Sequence, residues 1–260
     1  MCRRSRSSVC SESGEHVNAR HARPSVGCLS LALLQSLATG AAAQPAAVTA
    51  QGQTWTLQNE ALSATVAFAD GKLSLASLAN RAADTDYLKN RPPLPLFSFA
   101  MGNATVSAAD GGWTFAAAEV CDIELYGQHW GRRLELTLTR PRPAAFFVRQ
   151  VFEIYDDRAG LRVCSFVKNG TDLPLALGAS DVLALNLPDR PHQVHYVTGN
   201  VKWNVGTGGV HRVGRNLLTR YDSGDGWFVA PENNWATCLA PGASTTTRQH
   251  ESNNDCRQRQ

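Results

Sequence analysis

The sequence predicts an all-β fold of antiparallel sheets. Three observations predict it: apolar residues recur with a period of two, turn signals separate the runs at short intervals, and no segment after residue 44 sustains a helical period with caps. Many short strands of this kind pack as a sandwich or barrel. No fixed-period repeat marks a propeller or solenoid.

The pattern starts at Gln53. Trp55 and Leu57 alternate with Thr54, Thr56 and Gln58, and Asn59 with Glu60 ends the run. Leu62, Ala64, Val66 and Phe68 then share one face of a strand. Asp70-Gly71 follows, a pair that tolerates positive φ and closes two-residue hairpins. Leu73, Leu75 and Ser77 continue the buried face on the return strand. Arg81 to Pro95 is a loop by its proline and charge content.

In the middle of the chain, Leu134, Leu136 and Leu138 alternate with Glu135, Thr137 and Thr139 in a half-buried strand that Pro141 and Pro143 end. Phe146 to Tyr155 carries apolar residues on both faces, as a covered central strand does. Asp156 to Gly160 turns the chain, Leu161, Val163, Ser165 and Val167 return it, and Asn169-Gly170 turns it again. Leu173 to Leu187 is a longer apolar stretch interrupted by Pro174 and Gly178.

The chain has 260 residues, 43% of them hydrophobic and 18% charged, enough apolar material for one large core and too little charge for wholesale disorder. Of the net charge of +3, the arginine-rich first 23 residues account for the surplus. A neutral body lacks the clustered basic face that nucleic-acid binding needs, and it suits an uncharged partner such as a neutral sugar.

Residues 1–43 have the organisation of a secretory leader. Arg20, His21 and Arg23 precede an apolar run, and Ala41-Ala42-Ala43 before Gln44 makes a small-residue cleavage site. Gln35 and Ser36 interrupt the run, which is short for a membrane span. The expectation is export to the periplasm or outside a bacterial cell, with residues 44–52 as a linker, 53–242 as the folded body and 243–260 as a polar tail. That tail is either disordered or translated out of frame. Residues before Val17 fit a leader poorly, which agrees with a true start at Val17.

Of seven cysteines, Cys121, Cys164, Cys238 and Cys256 follow the leader. No C-x-x-C pair supports a zinc site. The four either remain buried thiols or form disulfides, in any of three connectivities. Cys164, in a strand among apolar neighbours, suits a buried thiol.

The order Trp55 to Asn59, Leu62 to Phe68, Asp70 to Leu73, Leu78 to Asn80, Phe147 to Asp157, Leu161-Arg162 and Val167 to Thr171 resembles the N-terminal domain of bacterial α-galactosidases of glycoside hydrolase family 36 and their relatives. The resemblance spans roughly residues 53–240. It implies a large antiparallel β-supersandwich similar to galactose mutarotase. In that family the domain precedes a catalytic (β/α)₈ barrel that supplies the Asp nucleophile and the Asp acid/base. A barrel takes about 200 or more residues, so the resemblance implies an accessory part truncated before its catalytic barrel. Its implied roles are covering the barrel, adding a loop to a sugar pocket, or assembling a homo-oligomer. No catalytic residue, metal or cofactor carries over.

Two clusters are candidate contacts for a galactoside-type carbohydrate. Asn200, Lys202, Trp203 and Asn204 lie in the glycine-rich stretch Gly199 to Gly209, expected to be a loop. An indole stacks on a pyranose face while amides and ammonium groups bond its hydroxyls. The Lys202-Trp203-Asn204 run is similar to the nucleophile strand of such enzymes, but Asn204 stands where a nucleophilic Asp is required, and an amide forms no glycosyl ester. The second cluster is Trp130, beside Gln128, His129 and Arg132. Trp227 and Trp235 are packing residues around a polar turn.

The alternative readings are a free-standing mutarotase-like epimerase and a binding or structural module. An epimerase needs a His acid and a carboxylate base. His129, His192, His195 and His211 with Glu119, Glu124, Glu135, Glu153 and Glu232 are its candidates. Pro191-His192 to His195-Tyr196 has the wrong order for the aldose-epimerase signature. His192 and His195 fall on opposite faces of a strand and so make no metal pair.

Overall fold

The computed structural model describes residues 27–33, 44–142, 145–172, 174, 176–188, 190, 192–198, 202–207, 210–213, 217–231, 236–241 and 244–249. Asn200, Trp235 and Cys256 lie outside them. Among the described residues there is no helix.

The strands in chain order begin with β1 (Gly27–Leu33), β2 (Ala47–Gln51), β3 (Thr54–Gln58), β4 (Leu62–Ala69), β5 (Lys72–Asn80) and β6 (Thr85–Asp86). Next come β7 (Ser98–Met101), β8 (Ala104–Ser107), β9 (Thr114–Leu125), β10 (Gln128–Arg140), β11 (Phe146–Tyr155) and β12 (Gly160–Asn169). The chain continues through β13 (Leu177–Asn186), β14 (His192–Thr198), β15 (Lys202–Thr207) and β16 (Val210–Val213). It closes with β17 (Leu217–Tyr221), β18 (Gly226–Pro231), β19 (Ala236–Pro241) and β20 (Ser244–Gln249).

These strands form three antiparallel sheets. The largest has the order β15-β14-β17-β18-β1-β12-β11-β10-β9, the second β16-β19-β20-β13-β7-β8, and the third β2-β3-β4-β5-β6. The all-β sandwich character expected from period and turn signals is therefore what forms.

The β4–β5 hairpin shows how local sequence does this. Asp70 and Gly71 take φ of 52° and 67°, the two positive values a type I′ turn requires. A side chain at Gly71 would also press on the Gly112 backbone nitrogen at 2.9 Å. Leu62, Ala64, Val66 and Phe68 are all buried. The return strand departs from the expected phase. A β-bulge between Thr65 and Val66 shifts the register, so Leu78 rather than Ser77 enters the core. Ser77 instead donates a hydrogen bond to Asp86 Oδ2 at 2.8 Å.

One apolar core joins the three sheets. Leu57, Leu62 and Leu78 come from the third sheet, Phe97, Phe99 and Leu183 from the flanks of the second, and Leu134, Leu136, Phe152, Leu161 and Val229 from the first. Each such side chain contributes about 2 kcal/mol by leaving water. Trp113 ties the layers together, edge-on to Phe97 and Phe146 at 5.2 and 5.3 Å, with its indole N–H donated to Ser107 O.

Asn59 makes the polar counterpart of this tie. Its Oδ1 accepts from the Ala61 and Leu62 amides, and its Nδ2 donates to the carbonyls of Tyr155 and Arg158 across to the first sheet. A buried amide is stable there because its bonds are made.

Three stretches outside the expected folded body of residues 53–242 form strands. Ala47–Gln51, within the expected linker, is β2 and pairs with β3. Ser244–Gln249, at the start of the expected polar tail, is β20 and pairs with β13 and β19. Gly27–Leu33, the apolar run of the expected leader, is β1 and lies between β12 and β18. The reason is common to all three. A sheet with an open slot recruits any extended segment that supplies backbone donors and acceptors, whatever its side chains suggest about loops or export.

Candidate functional site

Strand β11 is covered on both faces along part of its length, as its sequence suggests. Phe146, Val148, Gln150, Phe152 and Ile154 face the core, and Phe147, Arg149, Val151 and Glu153 alternate with them on the outer face. The outer face is the notable one. Cross-strand register sets Phe147 opposite Lys168, Arg149 opposite Phe166, Val151 opposite Cys164 and Glu153 opposite Arg162. On the other side it sets Arg133 opposite Glu153, Glu135 opposite Val151 and Thr137 opposite Arg149.

Two zones result. The first is an ionic ladder centred on Glu153, only 3% exposed at its side chain. Its carboxylate accepts hydrogen bonds from Arg133 Nε at 2.7 Å, Arg162 Nη1 at 2.8 Å and the Tyr155 hydroxyl at 2.9 Å, and forms an ion pair with Arg133 Nη2 at 2.6 Å. Burial by itself would raise the Glu153 pKa. The bonds from Arg162 and Tyr155 and the positive charges of Arg162 and Arg133 outweigh burial and hold it below the ordinary glutamate value.

The second zone is a groove of about 660 Å³ lined by Thr137, Phe147, Arg149, Phe166, Val167, Lys168 and Asn169. Phe147 is 40% exposed, high for a large apolar side chain in mid-sheet. Gly170 leaves room for its ring, since a Cβ there would meet Phe147 Cε2 at 2.9 Å. The Arg149 guanidinium lies 4.6 Å from the Phe166 centroid and pairs with Glu135 at 3.5 Å. The groove thus has an aromatic floor and a rim of two cations, an amide and a hydroxyl, the composition of a ligand-contact surface.

The sequence-predicted residues fall elsewhere. Trp130 is in β10 at the far end of the same strands. Its indole nitrogen is buried with no hydrogen-bond partner among the described residues, and Arg158 lies 5.8 Å over its ring. Beside it, His129 Nδ1 is 2.9 Å from Asp156 and Nε2 is 3.2 Å from Asp122, with Arg132 also on Asp122. Hydrogen bonding to Asp156, joined by Asp122, raises the His129 pKa above its ordinary value. Both ring nitrogens are thereby engaged.

Lys202, Trp203 and Asn204 are not in a loop. They open β15, opposite Thr198, Val197 and Tyr196 of β14. The expected loop Gly199 to Gly209 is corrected for Lys202–Thr207, because backbone pairing at the sheet margin overrides the glycine content. β15 and β10 stand seven positions apart in the strand order, so the two predicted clusters are separate regions of the sheet.

Cys164 also departs from the buried-thiol reading. It is buried but disulfide-bonded, while Cys121 is in the thiol form. Trp227 packs in the core as expected. Sequence reasoning missed the groove. Its one available signal was Phe146-Phe147, since adjacent strand residues point to opposite faces and one ring of the pair must point outward.

No protein-family model matches the chain, and no curated protein matches it.

Proposed function

We propose that this chain is an accessory β-sandwich domain of an exported glycoside hydrolase, α-galactosidase-like, that contacts carbohydrate and works beside a catalytic (β/α)₈ barrel. The observation that carries the reading is the outer-face groove. Phe147 and Phe166 offer flat apolar surface, and Arg149, Lys168, Thr137 and Asn169 surround it with hydroxyl-binding groups. Pyranose rings have one apolar face and a polar perimeter, which such a surface complements. Among the described residues the groove lining holds no carboxylate, whereas a retaining glycosidase works with two carboxyl groups about 5 Å apart. Binding is the chemistry these residues support.

The test is titration of methyl α-galactoside and a galacto-oligosaccharide into the full chain, followed by calorimetry or protein NMR. Phe147→Ala and Phe166→Ala should each weaken binding by about 3- to 10-fold, the worth of one aromatic contact. Binding that is absent, or indifferent to both substitutions, overturns the reading.

A mutarotase-like epimerase is the second reading. His129, set between Asp156 and Asp122, favours it as an imidazole–carboxylate arrangement. Polarimetry of α-galactose decides it. Accelerated anomer exchange that His129→Ala abolishes supports the epimerase.

A further inference from the structure

We infer that Cys28 and Cys164 form a cross-strand disulfide that keeps Gly27–Leu33 in the folded protein as an internal strand of the largest sheet. This goes beyond the proposed function and accepts export, but it changes what happens to the leader.

Three independent features point there. First, β1 pairs on both sides, antiparallel to β12 over Gly27 to Ala32 and to β18 over Leu29 to Leu33. Removing it would leave two facing rows of unpaired backbone groups inside the sheet.

Second, the segment alternates. Leu29, Leu31 and Leu33 occupy one set of positions, and Cys28, Ser30 and Ala32 the other. Directly opposite residues project to the same face. Leu29 is in register with Val163, Leu31 with Leu161 and Val229, and Leu33 with Trp227, all core residues at most 3% exposed. The leucines therefore occupy register positions opposite core residues. A targeting run needs only apolarity, whereas a strand also needs this phase.

Third, Cys164 is disulfide-bonded, and the residue opposite it on β1 is Cys28. Directly opposite Cα atoms in antiparallel strands lie about 4.5–5.5 Å apart, inside the range a disulfide spans. Cys121 lies three strands away on β9 and keeps its thiol.

The chemistry is thiol–disulfide exchange with a dithiol-type oxidant of an oxidising compartment. The Cys28 thiolate attacks the carrier disulfide and forms a mixed disulfide. The Cys164 thiolate then displaces the carrier sulfur. Two protein thiols lose two protons and two electrons, and the carrier leaves as its dithiol.

The test uses the full chain, produced with its leader in a bacterial host that exports it. Free thiols are alkylated in denaturant, and the protein is mapped by mass spectrometry without reduction. The expected result is one linked species joining the Cys28 and Cys164 peptides, separated by reductant, with an N-terminus upstream of Cys28. In Cys28→Ser, Cys164 becomes alkylated and the linked species is lost. This readout works in denaturant, so it holds even where the variant folds poorly. An N-terminus at Gln44, a Cys164 linked to another cysteine, or a Cys164 alkylated in the wild type overturns the inference. None of these outcomes bears on sugar binding, which is read separately.

Discussion

Glu153→Gln tests whether the outer-face ionic ladder stabilises the largest sheet. The carboxylate accepts three hydrogen bonds, two of them from guanidinium nitrogens, and makes a further ion-pair contact with Arg133 Nη2. An amide keeps the volume but has one acceptor oxygen, and it turns an NH₂ toward an arginine donor. Bonds to charged groups are worth about 1.5–3 kcal/mol each. Arg133 and Arg162 remain about a third exposed and rehydrate, so the sum is discounted for solvent screening to about 2 kcal/mol. For a chain of this size that lowers Tm by about 4–8 °C. The pH dependence has a definite sign. Because the folded pKa of Glu153 is depressed, its stabilisation is complete above the unfolded glutamate pKa and is lost as pH falls through the folded value. Thermal unfolding followed by tryptophan fluorescence should therefore give a constant wild-type advantage from pH 7 to about 5, narrowing below about 4. A variant within about 1 °C of wild type at pH 7, or a gap unchanged in acid, refutes the argument.

Asn59→Ala removes four hydrogen bonds, two of them across to the first sheet and two local to the start of β4, and should cost about 3–4 kcal/mol in urea unfolding, while Asn59→Asp should not rescue it, having lost both donors. Gly131→Ala should cost about 3 kcal/mol, because its Cβ would lie 2.1 Å from the Ile154 carbonyl oxygen; Gly52→Ala, with nothing nearby, should cost about 1 kcal/mol through its positive φ alone. NMR titration should place the His129 pKa above its ordinary value, and Asp156→Asn should lower it toward that value. The His129 ion pairs accordingly stabilise the fold below the unfolded His pKa, and that contribution is lost as pH rises through the folded value.

Much of the fold was legible because period two is imposed by the strand itself. Leu134, Leu136 and Leu138 alternate in sequence and all three are fully buried. Asp70-Gly71 announced its hairpin because few residue pairs tolerate two positive φ values. The candidate groove was not legible. Phe147, Arg149, Phe166 and Lys168 come from two strands, and only the β11–β12 register places Phe166 beside Arg149 and Lys168 beside Phe147. Register is a relation between segments, so neither strand encodes it alone.

By itself the sequence determined the all-β class, the main hairpins and the buried faces of β4, β10 and β11, because each depends on local alternation and turn chemistry. Only the tertiary structure decided that Ala47–Gln51 and Ser244–Gln249 are strands rather than linker and tail, that the bulge at Thr65/Val66 puts Leu78 in the core, and that Gly27–Leu33 occupies a slot between β12 and β18. The physical reason is the same in each case. A strand's hydrogen bonds are made to other segments, so whether an ambiguous run becomes a strand depends on which edges the rest of the chain leaves open to it.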